Sequence, residues 1–151
     1  DPAKESDLPT VSFAFAGEPI IRLLLSEGYL FKLHTYYEAL KSGFFDDVSM
    51  GVEVTWSEEY GTKNEIDVVL TKGFQTLTVE CKATNAINHE FYHKLYTLPK
   101  TFGINTIPVL LVDSSAASQN DMEIQRGREL GIETICDSSN IAQKLNDLFR
   151  V

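Results

Sequence analysis

Residues 64–82 read NEIDVVLTKGFQTLTVECK, and the reading of this stretch decides the fold. Two apolar runs flank Lys72-Gly73-Phe74, and a short glycine turn between such runs predicts a β-hairpin. Side chains alternate faces along an extended strand, so Glu80 and Lys82 project from one face while Leu77, Val79 and Cys81 project from the other. The preceding strand, EIDVVL, brings Asp67 alongside them, twelve intervening residues before Glu80. Two carboxylates and an ammonium at the end of a hairpin suit a hard divalent cation, an activated water and a phosphodiester. Asp67 and Glu80 offer oxygens to Mg²⁺ or Mn²⁺, with the backbone carbonyl of Cys81 as a third candidate ligand. Lys82 would orient the water or stabilise charge on the phosphorane oxygens. A bare Glu-x-Lys is common on ordinary surface strands; the turn and the Asp-bearing strand before it give this one its weight.

Outward from the hairpin the pattern is α/β. A helix is expected from about Gly28 to Ser42, then strands at 48–56, 64–71 and 75–82. His89 to Phe102 reads as a helix with Pro99 as a kink or early end, and Thr106 to Val112 as a buried strand. Ser118 to Leu130 reads as a helix closed by Gly131. The strand IETIC follows, then a final helix, SSNIAQKLNDLF, with Ser139 or Asn140 as its cap. Residues 1–10 form a polar tail. VSFAFA and PIIRLLLSE are apolar and pack either on the core or on a missing neighbour. The division expected is therefore an N-terminal tail and apolar segment over 1–27 and a catalytic domain over 28–151.

A chain of 151 residues fits one domain with a full core. No stretch is long and apolar enough to span a membrane, and no secretory signal is present. Cys81 and Cys136 make no disulfide framework and read as reduced thiols of a cytoplasmic protein. The formal net charge of −9 opposes non-specific attraction to nucleic acid. Lys94, Lys100, Arg126 and Arg128 are candidates to line one side of a groove, and equally to be solvated helix faces. A competing motif is His89-Glu90-Phe91-Tyr92-His93, which matches HExxH literally. On a helix both histidines would share a face and Glu90 would be the general base of a zinc protease. No third histidine follows at the extended spacing, and nothing singles out Glu123 as a substitute, so the two histidines are better read as partly exposed or as phosphate contacts.

NEIDVVLTKGFQTLTVECK resembles the core of the PD-(D/E)XK, or restriction-endonuclease-like, superfamily. More narrowly, it is similar to the nuclease domain of CRISPR-associated ancillary nucleases that carry a cyclic-oligoadenylate-sensing domain. The resemblance extends through FYHKLYTLPKTFG, IPVLLVD and RGRELGIETI, roughly residues 28–136. It implies an αβββαβ core, a mixed central sheet flanked by helices, with the site where the central strands diverge. It implies metal-dependent cleavage of RNA or DNA in type III CRISPR defence, metal roles for Asp67 and Glu80 and the catalytic lysine role for Lys82. Homodimerisation is also expected from it. The chain starts with Asp1 and is too short for a nuclease and a complete sensor domain, so the sensor is expected outside it.

One departure stands out. Such nucleases usually carry a glutamate near the start of the first helix, where this chain has Gly28-Tyr29-Leu30-Phe31-Lys32. Glu38 is the nearest substitute, at the margin of an apolar stripe of Leu30, Leu33, Tyr37, Leu40 and Phe44. Thr84 and Glu65 are lesser candidates for the site. The missing acid and the acidic charge also admit a non-catalytic binding or assembly module that keeps the fold.

Overall fold

The computed structural model describes residues 14–26, 28–57, 62–84, 86–97, 102–113 and 121–149. Two helices lead the chain, α1 (Glu18–Leu25) and α2 (Tyr29–Ser42). Runs rich in β-branched residues between glycines then form β1 (Asp47–Ser57), β2 (Thr62–Lys72) and β3 (Gln75–Lys82), an antiparallel meander. Gly73 opens the two-residue turn between β2 and β3 with φ 59°, the left-handed first position of a type II′ turn. The chain passes through α3 (Glu90–Thr97) to β4 (Thr106–Val112) and through α4 (Asp121–Glu129) to β5 (Glu133–Ile135), each strand parallel to its neighbour. A last helix, α5 (Ile141–Asp147), closes the described chain. The sheet order is β1-β2-β3-β4-β5 and the sheet is mixed, which is the αβββαβ core expected from the sequence.

Period-two alternation sorts the sheet into two faces. Val68, Leu70, Leu77, Val79, Cys81 and Leu111 pack beneath Phe31 and Ala39 of α2 and Leu145 of α5. On the other face Leu110 and Val112 meet Tyr92 and Leu95 of α3 and Ile132. Glu80 pairs with Leu110 across the β3–β4 ladder and so shares this second face. Gly127 lets α4 close on α3 and β5: an added Cβ there would lie 2.7 Å from Tyr92 Cε1 and 3.0 Å from Thr134 Oγ1. Gly127→Ala is expected to cost about 1–3 kcal/mol by overpacking. A urea unfolding midpoint equal to wild type would show instead that the Tyr92 ring can retreat.

Helix α2 corrects the sequence reading. Leu30, Leu33, Tyr37, Leu40 and Phe44 are all exposed, and the buried residues are Phe31, Lys32, Thr35 and Ala39. The small side chains of Thr35 and Ala39, one turn apart, let the helix approach the sheet closely, which the larger stripe would prevent. Smaller differences concern helix ends. The helix expected from His89 to Phe102 runs over Glu90–Thr97, and residues 98–101, Pro99 among them, lie outside the described residues, as do 114–120. PIIRLLLSE contains most of α1, while 11–13 of VSFAFA lie outside the described residues. Asn140 stands at the N-cap of α5, but its left-handed backbone (φ 51°) leaves it without a side-chain cap bond, and Ser139 bonds Asp137 instead.

Candidate active site

The β2–β3 ladder runs from the turn to Val68↔Val79 and ends there, while β3 stays paired with β4 as far as Lys82↔Val112. The two central strands therefore part where Asp67 and Glu80 stand. Asp67 bridges the parting: its Oδ2 accepts the Cys81 N–H at 2.9 Å. Glu80, two residues before the end of β3, is almost enclosed, its side chain 5 % exposed. Its Oε1 lies 2.9 Å from Lys82 Nζ and its Oε2 2.5 Å from Lys94 Nζ, so one carboxylate holds a lysine from its own strand and one from α3. Lys82 Nζ also stands 5.3 Å from the centroid of Phe91, the α3 residue that covers it. Glu80 is thus a buried group, because α3 lies over the face from which it projects.

Electrostatics follow from this enclosure. Burial, then the charge of Glu80, raises the Asp67 pKa above the ordinary carboxylate value, against the opposing pull of the Cys81 N–H, Lys32 and Lys94. Burial works against the Lys82 ammonium, but the Glu80 bond and the Glu80 and Asp67 charges outweigh it and raise the pKa. Lys82 is a donor here, not a base. Burial pushes the Cys81 thiol up to about 12, and its Sγ lies 3.7 Å from Thr35 Oγ1 on the α2 side of the sheet. Cys81 therefore has only its backbone to offer to the site.

Among the other candidates, Thr84 lines a cavity of about 300 Å³ with Gly28, Cys81, Lys82, Ala83 and Phe91. A second cavity of about 490 Å³ shares Gly28 and Ala83 and continues past Phe31, His34 and Asp113. Together they form a groove over the ends of β3 and β4, beside Lys82. Glu38 is not among the contacts of the acid cluster. The residue of α2 that reaches it is Lys32, bonded to Glu65 and 3.5 Å from Asp67 Oδ1. Six residues on, Glu38 is turned roughly 120° round the helix from Lys32. The sequence reading missed Lys32 as a site residue and placed Lys94 only in a basic groove. The available signal was the Thr35–Ala39 spacing of small residues, which marks the close-packed face bordering Lys32. Arg126 lies elsewhere, Arg128 is exposed on α4, and Lys100 is outside the described residues.

His89 and His93 have ring centroids 6.2 Å apart and line a separate cavity of about 280 Å³ with Tyr92, Tyr96, Arg126 and Leu130. Among the described residues, no group of three or more His, Cys, Asp or Glu side chains is placed to hold a metal, so neither Glu123 nor any other described side chain completes a zinc site with them. The same observation tests Mg²⁺ or Mn²⁺ at Asp67 and Glu80. A buried and a partly buried carboxylate that repel one another are a hard-oxygen donor set, and Mg²⁺ commonly takes one or two carboxylates while keeping several waters. The residues fit that ion, and do not fit an all-protein cage. No described helix is long and apolar enough to cross a membrane, and both cysteines are free thiols.

The fold is shared with other solved structures. Protein VC1899 from Vibrio cholerae is 20 % identical with a TM-score of 0.68, over 90 % of this chain and 37 % of that one. Can2 from Sulfobacillus thermosulfidooxidans, solved in complex with cyclic tetra-adenylate, is 18 % identical with a TM-score of 0.62, over 82 % of this chain and 36 % of that one. At such identities the likeness speaks for the fold, and the chain matches little more than a third of the length of either protein. No curated protein matches it. A family model described as "Card1-like, endonuclease domain" matches residues 20–151, which takes in α2 to α5 and all the residues of the parted strands. With that match over most of its length, and with the resemblance to a nuclease domain borne out, this chain belongs to the family of Card1-like endonuclease domains.

Proposed function

We propose that the domain is a metal-dependent endonuclease hydrolysing phosphodiester bonds of RNA or DNA, the effector part of a defence protein switched on by a cyclic oligoadenylate. The observation that carries this reading is the meeting of Asp67, Glu80 and Lys82 where β2 and β3 part. Asp67 and Glu80, with the Cys81 carbonyl, would hold Mg²⁺ or Mn²⁺. The bound ion would polarise the phosphate and make hydroxide available near neutral pH. Lys82, protonated and held at Glu80, donates to the attacking water or to a non-bridging oxygen as negative charge develops. Lys94 grips the other Glu80 oxygen and restricts its rotation, so the carboxylate is oriented before substrate arrives. The lysines supply local positive charge that a chain of net charge −9 lacks globally. The groove along Gly28, Ala83 and Thr84 is the path for the nucleic acid. Can2 holds cyclic tetra-adenylate, and by analogy the activator here would bind a sensor domain outside this chain. A homodimer in the cytoplasm completes the reading.

The test is cleavage of labelled single-stranded RNA, single-stranded DNA and plasmid with Mn²⁺, Mg²⁺ or EDTA, wild type beside Lys82→Ala. Cutting should require the metal and fall in the variant by about 10²–10³-fold, the usual effect of removing a transition-state donor. Equal cutting by the two proteins, or undiminished cutting in EDTA, would overturn the reading.

A further inference from the structure

Lys32 is buried, unlike every other described lysine, and nothing in the reaction outlined above uses it. From the first turn of α2 its Nζ reaches the carboxylates of β2, bonding Glu65 and standing 3.5 Å from Asp67 Oδ1. An ammonium this enclosed is costly unless paired, and here two carboxylates pair it. Glu65 and Asp67 flank the ammonium and hold it in place. Gly51 of β1 borders the same spot: a Cβ added there would lie 3.8 Å from both Lys32 Nζ and Glu65 Oε1. The enclosure is built from three elements.

The charges explain what such a cation does. Glu65, Asp67 and Glu80 face Lys32, Lys82 and Lys94, so the cluster is neutral before any metal binds. One divalent ion makes it complementary to a phosphodiester anion. Two ions would place four extra positive charges in a partly buried site, beside ammonium groups that cannot leave. We propose that Lys32 is a resident cation filling the position a second metal ion would take between Glu65 and Asp67, so that the site loads a single divalent ion. Lys32 is then a positioning residue: it fixes Asp67 Oδ1 while the Cys81 N–H holds Oδ2, and it closes the Glu65 side to metal.

This inference rests on the metal-dependent reading above, and metal binding itself separates the two. Metal-free protein would be titrated with Mn²⁺ by calorimetry, with free Mn²⁺ followed by electron paramagnetic resonance, for wild type, Lys32→Met and Lys32→Arg. The expected stoichiometries are one, two and one per chain, because only methionine removes the charge while keeping the apolar stem. Lys32→Gln replaces Lys32→Met if thermal melting shows that the methionine variant does not fold. Two ions in wild type, or one in the neutral variant at any affinity, overturn the assignment of Lys32 while leaving metal dependence standing. No Mn²⁺ bound by wild type removes the metal reading, and the role of Lys32 with it.

Discussion

Glu80→Ala is expected to abolish cleavage and also to weaken the fold. The first effect follows from its place in the site, since removing an oriented ligand and the anchor of Lys82 should lower the rate by at least about 10²-fold. The second comes from its burial. Glu80 is 4 % exposed as a residue and both its oxygens hold lysines. Alanine leaves Lys82 and Lys94 facing each other without their shared counter-charge. Breaking a fully buried pair costs about 3–5 kcal/mol, but each of these lysines is about a third exposed and recovers part of its hydration, so about 1–3 kcal/mol is expected. Glu80→Gln separates the two effects: it fills the same space and keeps an acceptor, so it should lose activity while losing less stability. Cleavage assays beside urea unfolding read both. Wild-type cutting by Glu80→Ala would remove Glu80 from the mechanism, and wild-type stability would refute the account of its burial.

Asp67→Asn should be inactive too, yet at neutral pH no less stable than wild type without metal. The Asp67 pKa is raised, by burial first and by Glu80 second. An acid with a higher pKa in the folded than in the unfolded chain binds its proton more readily when folded. It therefore favours folding at low pH and disfavours it as pH rises from the unfolded value of about 3.9 through the raised folded value. Asparagine removes that penalty and can still accept the Cys81 N–H through its amide oxygen. Unfolding followed from pH 3 to pH 7 should thus show Asp67→Asn gaining on wild type as pH rises. A variant that falls behind instead would mean that Lys32 and Lys94 need the Asp67 charge more than burial opposes it. Asp67→Ala, which leaves the Cys81 N–H without that acceptor, should lose about 1–3 kcal/mol.

These expectations show how far local pattern carries. The β3 limits, Gln75–Lys82, and the β4 limits, Thr106–Val112, coincide with the sequence reading because alternation and apolar runs are local properties of a strand. So is the placing of Glu80 and Lys82 on one face with Cys81 on the other. Helix α2 was legible as a helix but not in its orientation. Its most apolar stripe is exposed, because contact distance to the sheet, set by Thr35 and Ala39, outweighed the count of large apolar side chains.

By itself, then, the sequence determined the hairpin, the succession of helices and strands and the Asp67, Glu80 and Lys82 pattern, since each depends on backbone periodicity over a few residues, whereas the mixed sheet was implied only by the family resemblance. Only the tertiary structure decided which cations meet those acids. Lys32 is 33 residues from Glu65, and Lys94 is 14 from Glu80. Each arrives because a helix docks on a particular face of the sheet. That docking also encloses Glu80 and turns an exposed-looking strand carboxylate into a buried one, a result of packing that no local spacing encodes.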